Sequence, residues 1–248
     1  MKFLDAFCGI GPWMHRDRLL PYQPHEILGL LDHFGIDQAL VHSNFSADGG
    51  NAEWGNERLI DACNQSGGRF LPCLSLRPNP HRDECTMDGY LDLMRSCGSR
   101  SLWLVPSNLA LWPWFFEDVA NACIRHRIPV FFHRDMTNPE QLHQFCQAFP
   151  GLRIVLVGVG YGDDWWLYPL LRRFENLHVC LGHFYIPSHG PMRFLDHFKA
   201  NRLIFGSGLP HFSPGGMVAH LMYADISGAD RALIAGNTME HLLNEVTL

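Results

Sequence analysis

Long apolar runs, paired cysteines and clustered basic residues are all missing from this sequence. No apolar stretch approaches the roughly 20 residues that a membrane-crossing helix needs, so no membrane partner is expected. The one apolar stretch near the N-terminus is interrupted by Asp5, which argues against a signal peptide. Eight cysteines are present, yet no Cys-x-x-Cys pair occurs and they are scattered over helix and strand patterns. That placement argues against a disulfide framework and fits reduced thiols in a soluble cytoplasmic protein. Lys and Arg number 19 against 25 Asp and Glu, for a formal net charge of −6. With Arg172-Arg173 as the longest basic cluster, no nucleic-acid partner is expected. No Gly-x-Gly-x-x-Gly or P-loop pattern follows the first apolar run, which weakens a nucleotide-binding reading. A Gly-x-Ser-x-Gly nucleophile elbow is absent too.

What is present is a regular series of short apolar runs. Apolar residues make up 47% of the 248 positions and charged residues 18%, the balance of a chain with a large core. The runs are Lys2-Cys8, Gln38-His42, Phe70-Leu76, Ser101-Val105, Pro129-His133, Arg153-Val157, His178-Leu181 and Arg202-Phe205. Between them lie helix-period segments. Ile27, Leu30, Leu31 and Phe34 keep the i, i+3, i+4, i+7 spacing, with Pro24 before and Gly35 after as start and stop signals. Asn56 is the expected cap of the segment carrying Leu59, Ile60 and Cys63, and Ser227 that of the last helix. Eight units in 248 residues leave about 31 residues for each strand, helix and pair of loops. The expectation is α/β: one (β/α)₈ barrel domain over residues 1–248, with its active site at the C-terminal ends of the strands.

Several segments carry a family resemblance. LDAFCGIGP at 4–12, PVFFHRD at 129–135, LRIVLVGVG at 152–160, RLIFGSGLPHFS at 202–213 and IAGNTMEHLL at 234–243 occur in order over nearly the whole chain. They resemble the amidohydrolase superfamily, in particular its second family of metal-dependent hydrolases. The resemblance implies metal ligands at positions 7, 9, 133, 158 and 208. Here those positions hold Phe7, Gly9, His133, Gly158 and Gly208, so only the histidine of the fifth run is kept. A catalytic zinc is held by about three protein ligands with one position left for water. One imidazole does not meet that need, so no cofactor is expected and the family's route to metal-bound hydroxide is not carried over. The alternative is a rearranged zinc centre drawn from His42, His133, His183 and His211, each just past a strand.

Read for themselves, the mouth residues give a graded set. His133 ends a strongly apolar run, where a polar side chain is costly unless used or satisfied, and it reads as a catalytic base, acid or substrate donor. The competing reading is a structural histidine bonded to a neighbouring carbonyl. Asp135 either orients it or caps the following helix. Arg77 suits a substrate carboxylate or phosphate, or else pairs with a surface acid. His42, His183, Tyr185 and His211 are substrate-binding candidates, as is Trp112, with Trp114, Trp165 and Trp166 in neighbouring loops. Those tryptophans wall a pocket, pack loops together, or form a contact in a homo-oligomer. Cys8 alternates with Phe7 and Gly9, which turns its thiol away from the barrel interior. The expected function is hydrolytic or acid–base chemistry on a small carbonyl- or carboxylate-containing molecule through His133. A non-catalytic protein binding a small ligand in the same mouth is the alternative.

Overall fold

The computed structural model describes residues 1–14, 20–77, 86–105, 111–183 and 190–248. Its strands are β1 (Leu4–Ile10), β2 (Gln38–Ser43), β3 (Phe70–Pro72), β4 (Leu74–Leu76), β5 (Leu102–Leu104), β6 (Val130–His133), β7 (Ile154–Val157), β8 (Leu177–Leu181) and β9 (Leu203–Phe205). All neighbours pair in parallel, in the orders β1-β2-β3 and β4 to β9. β3 and β4 are two halves of the third barrel strand. Pro72 has no N–H to give the ladder, and the Cys73 amide bridges the break by donating to the Val41 carbonyl at 2.9 Å. The barrel closes where the chain leaving β9 meets β1. Gly208 N donates to Phe7 O at 2.9 Å and Gly9 N to Leu209 O at 2.8 Å. Among the described residues, the architecture is therefore a closed eight-stranded (β/α)₈ barrel, as the spacing of apolar runs predicts.

Strand alternation divides the core into two layers. Ala39, Val41, Leu102, Leu104, Val130, Phe132, Ile154 and Leu156 face outward under the helices. Leu40, Trp103, Val105, Phe131, Val155 and Val157 face into the barrel, where Met239, Leu242 and Leu243 of the C-terminal helix plug the floor. Continuing that period carries His42 and His133 inward at the opposite end, the C-terminal mouth.

β1 breaks the period once. Asp5 pairs with Ala39 but Cys8 with Val41, so three residues of β1 span two of β2. This bulge lets both Ala6 and Phe7 face inward, and it returns Cys8 to the outer layer, fully buried. The buried Asp5 carboxylate holds the bulge in place. It accepts from Phe7 N at 3.0 Å, Ser207 N at 2.8 Å and the Ser207 hydroxyl, which itself accepts from Leu209 N at 3.0 Å. Burial raises the Asp5 carboxyl to about 6, against the lowering effect of these donors.

The helices follow their start and stop signals with one exception. Pro24–Phe34 begins on Pro24 and ends on Gly35, whose φ of 67° needs a residue without a side chain. Ser227 caps Gly228–Ala232 by accepting from Asp230 N at 3.0 Å. The expected cap Asn56 is instead inside the helix Ala52–Gln65, whose cap is Asn51. Asn56 is buried and exchanges hydrogen bonds with the backbone of Ser75 in β4, at 2.8 and 2.9 Å. It satisfies strand groups next to the break after Pro72, where the ladder leaves them without partners.

Candidate active site

The C-terminal mouth holds a cavity of about 480 Å³, within the range of small-molecule sites. One wall holds three nearly parallel rings. His42 lies 4.0 Å from Trp103 at 11° between planes, and Phe7 lies 5.8 and 5.9 Å from the two. His183 stacks on Phe212 at 4.2 Å and 6°. His211 sits 4.7 Å from Trp13. All of these residues line the cavity, together with His133, Asp135 and Asn44.

His42 is buried, and its pKa is pushed down to about 3. Burial is the main cause; the charges of His133 and His211 add to it, and a hydrogen bond to the Cys8 backbone opposes it. The ring is therefore neutral at physiological pH. His133 is held differently. Asp135 N donates to its Nδ1 at 3.2 Å, and the Asp135 carboxylate lies 3.5 Å from the same nitrogen. While Nδ1 accepts, the neutral ring carries its proton on Nε2. When the ring gains a proton, the adjacent carboxylate offers Nδ1–H a partner. Asp135 does not cap the next helix; Asn138 does, accepting from Gln141 N at 2.9 Å.

The loop after β7 is pinned to the loop after β6. Asp163 accepts from Arg134 at 2.9 to 3.3 Å, from Gly160 N at 2.9 Å and from Trp166 Nε1 at 2.9 Å. Burial works to raise this carboxyl, but the donors outweigh it and hold it below its ordinary value. Such a satisfied anchor argues against a freely moving lid at Gly160–Asp164.

Some sequence candidates are not gathered into the cavity. Arg77 turns aside and donates to Gly49 O at 3.1 Å, and it is not among the cavity walls. Its long side chain reaches a backbone carbonyl in the turn that follows Asn44–Ala47. Trp112 stacks on Trp114 at 5.5 Å, 39% exposed and outside the cavity. Tyr185 lies outside the described residues. His42, His133, His183 and His211 all reach the mouth, but among the described residues no three His, Cys, Asp or Glu side chains form a metal-binding group. Each imidazole is taken up with an aromatic neighbour instead: His42 with Trp103, His183 with Phe212, His211 with Trp13 and His133 with Phe7. Trp103 and Asn44 were not singled out in the sequence. Trp103 was within reach, because the period that turns Leu102 and Leu104 outward turns it inward.

The residues present do not fit the divalent ion implied by the family resemblance. Side chains crowd the positions where the resemblance expects ligands. Phe7 places a phenyl ring where the resemblance expects a histidine. A β-carbon at Gly9 would overlap Asn44 Oδ1, and one at Gly158 would overlap the His133 ring at Nε2. At Gly208 it would lie 2.9 Å from Phe212 Cδ2. Gly158 and Gly208 also have φ of 72° and 74°, a left-handed backbone that disfavours any side chain. Gly158→Ala is therefore expected to cost about 1–3 kcal/mol from backbone strain and the displaced imidazole. Urea unfolding checks this, and an unchanged midpoint would contradict the crowding described here.

Known proteins agree with this architecture. Residues 98–243 match the family model described as amidohydrolase, the second of that name. No curated protein matches the sequence. Among solved structures, an uncharacterised TIM-barrel protein from Bordetella bronchiseptica is 17% identical, with a TM-score of 0.77 and 99% of both chains covered. A 2,6-dihydroxybenzoate decarboxylase from Rhizobium is 15% identical, with a TM-score of 0.73 and 98% of each chain covered. A 5-carboxyvanillate decarboxylase from Novosphingobium aromaticivorans, complexed with manganese and 4-hydroxy-3-methoxy-5-nitrobenzoic acid, is 13% identical. Its TM-score is 0.75, over 98% of this chain and 96% of that one. At these identities the likeness is one of fold. With the family model covering more than half of its length, the chain belongs to the second amidohydrolase family.

Proposed function

We propose that the protein is an enzyme acting on a small, ring-bearing carbonyl or carboxylate compound by proton transfer through His133, without the family's metal-ligand set. The observation that carries this reading is the hold on His133. It lines a mouth cavity walled by aromatic rings, and the Asp135 backbone amide selects its tautomer. That leaves Nε2 as donor in the neutral ring, while the Asp135 carboxylate stands by to support the protonated form. The aromatic walls suit a planar ring, and the decarboxylases with the same fold are named for aromatic acids. A bound ligand excludes water from the cavity, which strengthens its polar contacts with the site.

A second reading, a binding protein without turnover, is favoured by the crowded positions 7, 9, 158 and 208. The two separate in a turnover and binding screen of small ring carbonyl and carboxylate compounds with wild type and His133→Gln. The enzyme reading expects a loss of about 10²–10⁴-fold in kcat/KM in the variant, the usual worth of a positioned acid or base. Ligand binding of equal strength in both proteins, with turnover in neither, would leave only the binding reading. We place no nucleic-acid or membrane partner beside this function. No helix among the described residues is long and apolar enough to cross a membrane. Self-association through the exposed Trp112–Trp114 stack accompanies the proposal.

A further inference from the structure

Asn44 is a polar cavity residue to which the reading above gives no role. It is 3% exposed and lines the mouth. Its backbone is fixed as the first residue of the short helix Asn44–Ala47, where Ser43 is the cap. Its carboxamide is fixed as well, because Nδ2 donates to Gly11 O at 2.8 Å. A carbonyl accepts only from the nitrogen end of an amide, so this bond decides which end is which. Oδ1 is left over Gly9, in space that exists only because Gly9 has no β-carbon. Among the described residues no donor reaches Oδ1. Nor is it one of the side-chain atoms sealed away from solvent without a partner, so it meets the cavity that Asn44 lines.

An oriented acceptor on an otherwise buried side chain discriminates strongly. A ligand that brings a donor makes the bond, whereas one that covers Oδ1 without a donor leaves it desolvated and unpaired. We infer that Asn44 selects the ligand, accepting through Oδ1 an O–H or N–H carried on the ring of the bound carbonyl compound. This rests on the mouth being a site for such compounds, with the ligand carbonyl within the reach of His133 Nε2–H. Asn44 is thus a positioning residue, and Gly9 is the residue that admits it.

Isothermal titration with para-hydroxyacetophenone and para-methoxyacetophenone tests this; the two differ in the phenolic proton. Wild type is expected to bind the hydroxy compound at least about tenfold more tightly. Asn44→Leu, which removes the acceptor, should bring the two affinities within about twofold. Gly9→Ala should do the same by pushing Oδ1 aside while Asn44 stays in the chain. It carries the test alone if Asn44→Leu does not fold. Binding of both compounds to wild type without preference, or a preference kept in the variants, overturns the role of Asn44 and leaves the cavity reading standing. Failure of wild type to bind either compound overturns the cavity reading, and the role of Asn44 with it.

Discussion

Between pH 6.5 and pH 5 the protein should lose about 3 kcal/mol of stability, a window in which ordinary carboxylates contribute little. The cause is two histidines folded in neutral form. His42 is pushed down to about 3, chiefly by burial, then by His133 and His211. His178 is pushed down to about 4, by burial and then Arg202, while its Nδ1 bonds to Asn201 O at 2.9 Å. For a group whose folded pKa is lowered, the unfolded chain takes up the proton first. Stability is complete above 6.5 and falls as the pH drops toward the folded value. At 1.36 kcal/mol per pH unit, each histidine contributes a loss of about 2 kcal/mol over this window.

Asp5 works in the opposite direction. Its folded value of about 6 lies above the ordinary 3.8, so the folded state takes up this proton first and gains stability as the pH falls through 6. By pH 5 that returns about 1.4 kcal/mol, leaving the net loss given above. Urea unfolding at half-unit intervals of pH checks the slope. His178→Asn, which keeps a donor for Asn201 O, should reduce the loss by about 2 kcal/mol. A stability flat from pH 6.5 to 5 would show that these rings are not buried neutral.

Asp5→Ala is the substitution expected to cost most, at about 4 kcal/mol. It would orphan three donors at once: Phe7 N, Ser207 N and the Ser207 hydroxyl, all in the seam that closes the barrel. A buried donor left without a partner costs about 1–3 kcal/mol, and Asp5 and Ser207 are both fully buried. Asp5→Asn keeps an acceptor for the two amides, and its own amide can donate to the Ser207 oxygen. It should fall within about 1 kcal/mol of wild type at pH 7 and should remove the opposing slope between pH 4 and 6. Denaturant midpoints for the two variants at pH 7 settle the matter, and an alanine variant no weaker than the asparagine one would refute it.

The strands were legible because two-residue alternation and short apolar runs are strong local signals. Each predicted run overlaps its strand, and the run Phe70–Leu76 contains both halves of the broken one. His42 and His133 were legible for the same reason, since the alternation fixes which way a strand-end residue points. Arg77 was not, because a long flexible side chain beyond a strand end takes whichever carbonyl is near. Trp112 failed similarly: a loop tryptophan finds a partner in the loop, here Trp114. Asn44 carries no local signal of its place in the mouth. Its hint was Gly9, since a glycine within a strand often marks the close approach of another group. Asn56 was misplaced because its Ser75 partner comes nineteen positions later. No local pattern reports that pairing.

The bulge in β1 ties the chemistry of the mouth to chain length as much as to residue type. Phe7 shows its ring to the cavity, and Cys8 hides its thiol, because one extra residue lies between Asp5 and Cys8. Pairing the same residues one-for-one with β2, without the bulge, would exchange the two faces from Phe7 on. A polarizable nucleophile would then look into the mouth, and a phenyl ring would be driven among the helices. The same arithmetic means that a one-codon deletion between Asp5 and Cys8 takes up the extra residue and leaves Cys8 opposite Val41, facing outward. What this edge of the pocket presents is thus set by how β1 is counted against β2, with no change in the letters themselves.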